Sequence, residues 1–84
     1  MLYHLLLYRS LTRIQRASSL LDKTGIPNRV VRVPARLSEE GCSNALRLSQ
    51  GNLHRALSTL RSAGMDPRRV FVAVGDDTFE EVLF

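Results

Sequence analysis

One cysteine, Cys42, stands in the run Glu40-Gly41-Cys42-Ser43-Asn44, and arginines recur at Arg9, Arg13, Arg16, Arg32 and Arg36. A thiolate attacks sulfur and selenium electrophiles, and its charged form is favoured by nearby cations and by the free N–H groups at a helix start. Guanidinium groups bind carboxylate, phosphate or sulfur anions through charge and paired hydrogen bonds. Ser10 is a candidate N-cap, and the helix start behind it would present such N–H groups beside Arg9 and Arg13. Gly41 permits backbone angles that other residues avoid, and with Ser43 it sets the geometry of the loop around the thiol. Against this stands the plainer reading that Cys42 is an inert buried thiol and each arginine a solvated side chain. The residue types alone leave both open.

Other chemistries find less support. His4 and His54 have no second ligand at metal spacing, so neither a metal nor a cofactor site is expected. The acids Glu39-Glu40, Asp76-Asp77 and Glu80-Glu81 are adjacent pairs, which diverge on a helix or a strand, and this argues against a paired-carboxylate hydrolase. No Ser-His-Asp set, Walker loop or dinucleotide turn is present. A lone cysteine forms neither an internal disulfide nor a four-cysteine zinc site, which fits a reducing cytoplasm.

The chain has 84 residues with 44% apolar composition, enough for one modest core and one domain, with a core over about residues 2–74 and an extension at 75–84. Its 12 basic and 8 acidic residues give a net charge of +4. The longest apolar run, Leu5-Leu6-Leu7, falls far short of the roughly 20 residues that span a bilayer. Residues Met1-Leu2-Tyr3-His4 lack the basic region of a secretory signal, so a cytoplasmic protein without a membrane partner is expected.

The elements that must position these residues follow from periodicity. Leu2 to Tyr8 alternates with apolar residues on both faces, as a central strand does. After Ser10, the residues Leu11, Ile14, Ala17 and Leu21 draw the stripe of a helix over about 11–24 that Gly25 and Pro27 end. Val30 to Val33 is a short strand closed by Pro34, residues 34–41 are loop, and Cys42 to Leu48 is a third strand. Leu53, Ala56, Leu57 and Leu60 mark a second helix, with Ser49 or Asn52 as its cap and Gly64 as its stop. Val70 to Val74 is the clearest strand. The tail carries a capping-box pattern, Thr78 with Glu81, yet Phe79 and Leu83 equally suit an edge strand.

Strand, helix, strand, strand, helix, strand at this length predicts an α+β, ferredoxin-like split βαββαβ sandwich. Two helices would cover one face of a four-stranded antiparallel sheet. In that topology residues 8–13, 34–42 and 64–69 meet at one end, bringing Cys42 to the start of the first helix. Leu2, Leu6 and Phe71 are expected on the open face, to be covered by a homodimer, a partner sheet or the tail. With five aromatics and none in the third strand, sequence-specific nucleic-acid binding is disfavoured.

The runs Leu6-Leu7-Tyr8-Arg9-Ser10-Leu11-Thr12-Arg13-Ile14-Gln15-Arg16-Ala17 and Gly25-Ile26-Pro27, the loop Pro34-Ala35-Arg36-Leu37-Ser38 leading to Cys42, and Ala45-Leu46-Arg47-Leu48 together resemble the bacterial selenium/sulfur carrier protein-like family. The resemblance reaches to about residue 74. It implies that Cys42 carries sulfur or selenium as a persulfide-type adduct, received from a donor protein and handed to an acceptor protein, with Arg9, Ser10, Arg13 and Arg36 holding the anion. Such a protein is a carrier rather than an enzyme. The family commonly has Gly directly after the cysteine, where this chain has Ser43. The alternative function is a non-catalytic module of the same fold that binds an anionic ligand, an acidic protein partner or RNA through its arginines.

Overall fold

Strand residues apolar at both parities must be covered on both sides, and the first strand takes that central place. The computed structural model describes residues 2–38 and 42–84. β1 is Tyr3–Leu7, α1 Leu11–Lys23, β2 Arg29–Arg32, β3 Asn44–Ser49, α2 Leu53–Ser62, β4 Arg69–Gly75 and β5 Thr78–Val82, with 3-10 turns at Ala35–Leu37 and Gln50–Asn52. The sheet order is β2-β3-β1-β4-β5, every neighbouring pair antiparallel.

The expected sheet of four strands is therefore corrected to five. Gly75 pairs with Thr78 across the two-residue turn Asp76-Asp77. Asp77 has φ 54°, a left-handed conformation that Asp tolerates because its short polar side chain bonds locally. The chain reverses there, and Thr78 and Glu81 lie in an edge strand instead of a helical turn. The tail thus lengthens the sheet and does not fold over it.

Both helices end as their glycines require. Gly25 (φ 75°) and Gly64 (φ 70°) are left-handed, and the N–H groups of Ile26 and Met65 reach back to the carbonyls of Leu21 and Leu60 at 2.9 and 2.8 Å. Ser10 caps α1 as expected, its Oγ accepting from the Arg13 N–H at 3.3 Å. Asn52 holds the cap position of α2 without a side-chain cap bond, because the 3-10 turn before it runs directly into the helix.

Two apolar clusters sandwich the sheet. On the helix side Leu6, Leu46, Leu48 and Val70 pack with Ile14, Ala17 and Leu21 of α1 and Ala56 and Leu60 of α2. On the other side Leu5, Leu7, Ala45 and Phe71 pack with Val33 and with Leu37 from the first 3-10 turn. Leu6 is thus corrected from the open face to the helix face. It pairs with Leu46 and Val70, and residues paired across a sheet share a side. Phe71 lies on the open face as expected.

Candidate functional site

Antiparallel register decides what meets at each end of the sheet. Leu7, the last residue of β1, pairs with Ala45 near the start of β3 and with Arg69 at the start of β4. The Arg68 N–H donates to the Leu7 carbonyl at 2.7 Å, and the Val33 N–H to the Ser43 carbonyl at 2.9 Å. The β1–α1 turn, the segment before β3 and the α2–β4 turn therefore converge, as the topology predicts. Tyr8 holds this junction: its ring is buried in the helix-side core, and its hydroxyl donates to the Met65 carbonyl at 2.6 Å. Burial, reinforced by the charge of Asp66, pushes the Tyr8 phenol well above its ordinary value, so it stays a neutral donor.

Cys42 is at this end. It is a free thiol, half-buried, and packs against the helix-side cluster, in phase with Asn44, Leu46 and Leu48. Its S–H points to the Asn44 carbonyl, with Sγ 3.7 Å from that oxygen. Ser43 beside it is also partly buried. Gly41 lies outside the described residues, so the loop geometry expected of it has no structural description.

The arginines expected to gather around the thiol divide between the two faces. Arg9 precedes the Ser10 cap, and Arg13 is exposed on the first turn of α1. Arg36 turns the other way: its guanidinium donates to the Asp77 carbonyl and stands 5.7 Å from the centre of the Phe79 ring. The reason is Leu37, whose burial in the open-face core draws the 3-10 turn across the sheet and carries Arg36 with it. Arg69 likewise forks onto Glu81 at 2.7 and 3.1 Å on the open face, which holds the Glu81 carboxyl below its ordinary range.

Among the described residues, no three of His, Cys, Asp and Glu come together at metal-binding range. The arrangement at the Cys42 end is instead a free, half-buried thiol at the end of the sheet from which the serine-capped α1 sets out. Nucleophilic group transfer from one sulfur to another suits such a site, since the thiolate needs access on one side only.

The family model described as "Putative Se/S carrier protein-like" matches residues 3–72. The chain belongs to that family. The match runs from β1 into β4 and takes in the whole Cys42 end, while β5 lies beyond it. Comparison with the curated proteins and with the solved structures returned no match. No helix is long and apolar enough to cross a membrane.

Two arginines that spacing did not single out belong to the open face: Arg47, which stacks on Tyr3 at 4.0 Å, and Arg29, its cross-strand partner. A signal for Arg47 existed, since it alternates with the inward Leu46 and Leu48. Arg29 becomes visible only through the register.

Proposed function

We propose that this carrier-like family member carries sulfur or selenium on Cys42. The Cys42 thiolate attacks the terminal sulfur of a donor persulfide. The donor's S–S bond breaks, its own sulfur leaves as a thiolate, and Cys42 becomes the persulfide. Attack by an acceptor thiolate on the terminal sulfur reverses these roles and returns Cys42 to its thiolate. No net oxidation occurs and no acid–base residue is required, so the protein acts as a carrier between donor and acceptor proteins rather than as an enzyme. The N–H groups behind Ser10, with Arg9 and Arg13, favour the terminal anion while it waits. Arg36 serves the site indirectly, by anchoring the loop that leads to Cys42. Gly41 and Ser43 shape that loop.

What supports this reading is the family match, which takes in the end of the sheet where Cys42 packs against the helix-side cluster and from which α1 sets out. We read β1 to β4 with α1 and α2 as a ferredoxin-like unit to which β5 is added, working as one cytoplasmic domain.

The test is mass spectrometry after incubation with a cysteine desulfurase and cysteine. Wild-type protein should gain the mass of one sulfur atom, released by dithiothreitol, and Cys42→Ser should gain none. No adduct on the wild type, or the same adduct on Cys42→Ser, ends the proposal.

A further inference from the structure

On the open face, guanidinium groups cover the aromatic rings. Arg47 lies 4.0 Å from the centre of Tyr3, Arg69 5.0 Å from that of Phe71 and Arg36 5.7 Å from that of Phe79. Tyr3 and Phe79 meet edge to face at 6.5 Å. Arg29 and Arg47 are direct cross-strand partners, and like charges so placed oppose each other unless an anion lies between them. Among the described residues no carboxylate pairs with Arg29 or Arg47, and both are exposed. The face's own Glu81 is taken by Arg69.

Beside Arg47 lies a concavity of about 180 Å³ with Tyr3, Leu5, Val31 and Phe79 in its lining. Asp77 also lines it, one acid against the arginines. Small-molecule sites usually measure roughly 300–1,000 Å³, so this one suits a single side chain better than a whole metabolite. Nucleic-acid modules of this kind leave aromatic faces free for bases, whereas here guanidinium groups already occupy them. A guanidinium stacked on a ring is held in place with its N–H edge outward, ready for a carboxylate.

We propose that the open face is a docking surface for an acidic segment of a partner protein, with one side chain in the concavity between Tyr3 and Phe79 and its carboxylates on Arg29 and Arg47. The surface lies across the sheet from the helix-side cluster that holds Cys42, and binding there does not depend on sulfur carriage.

The probe is a synthetic ten-residue peptide alternating glutamate and leucine, titrated into isotope-labelled protein at about 0.15 M salt. Amide shifts should concentrate in β2, β3 and β5, and Arg29→Glu and Arg47→Glu should each weaken binding about tenfold or more. Arg55→Glu, an exposed change of the same charge on α2, should leave affinity within about twofold, and Cys42→Ser should bind as the wild type does. Circular dichroism confirms that each variant is folded; Arg29→Glu, at an exposed edge position, keeps the test valid should Arg47→Glu unfold. Shifts centred on the helices, equal loss in Arg55→Glu, tighter binding of a ten-nucleotide oligouridine than of the peptide, or a dimer that buries this face would each overturn the proposal.

Discussion

The two faces of the sheet are built from the same strands and have opposite characters. On the helix side Leu6, Leu46, Leu48 and Val70 are completely buried among the aliphatic stripes of α1 and α2. One residue along each strand, the open side carries Tyr3, Arg47, Arg69 and Phe71, joined by Arg36 and Phe79, with Phe71 buried, Tyr3 and Phe79 partly buried and charges at the surface. The difference lies in what covers each face. Two amphipathic helices exclude water from the first, where shape and area determine stability. A single 3-10 turn and arginine side chains cover the second, so its polar groups remain available to a partner.

Leu46 and Arg47 make the sharpest contrast, being adjacent in β3 and opposite in direction. Leu46→Ala should cost about 3 kcal/mol in urea unfolding, through lost burial and the cavity left behind. Arg47→Gln should cost less than about 1 kcal/mol, the scale of an exposed cation–aromatic contact. Equal costs would mean that the open face is also structural core.

At the junction where the helix side meets the Cys42 end, Tyr8→Phe removes the donor to the Met65 carbonyl while keeping the ring. The expected loss is about 1 kcal/mol, and Tyr8→Leu should lose more, because the packed ring goes too. If Tyr8→Phe is neutral, the α2–β4 turn is held by packing alone.

The smallest effect concerns His4, buried with its Nδ1 unpartnered. Burial lowers its pKa below the ordinary 6.5, so in mildly acidic solution the unfolded chain binds a proton that the folded chain resists. Stability should therefore fall as pH drops from 6.5 toward the lowered value, and that part of the slope should vanish in His4→Leu. Persistence of the same slope in His4→Leu would assign it to carboxylates such as Glu81, whose lowered pKa also makes stability fall in acid.

Much of the frame was legible before any coordinates. The stripe Leu11, Ile14, Ala17 and Leu21, the stops at Gly25 and Gly64, and the cap at Ser10 are local signals, set by a few neighbouring residues and their backbone angles. The tail was not, because Thr78 with Glu81 suits a cap as well as Phe79 suits a strand, and the choice fell to the turn at Asp76-Asp77 and to the edge that β4 offered for pairing. Leu6 was misassigned for a related reason: a strand apolar on both sides fixes its alternation but not which parity faces the helices.

The candidate site divides in the same way. Sequence alone determined that a lone cysteine precedes the Ala-Leu-Arg-Leu strand, that a serine-capped helix follows the first strand, and that topology joins them at one end. Tertiary structure decided where the arginines went. Arg36 left the thiol's neighbourhood because Leu37 had to be buried, and Arg29 and Arg47 met because antiparallel register placed them opposite each other. Alternation along a chain is a one-dimensional property that sequence carries, whereas the pairing of two charges across a sheet depends on a register set by the packing of the whole core.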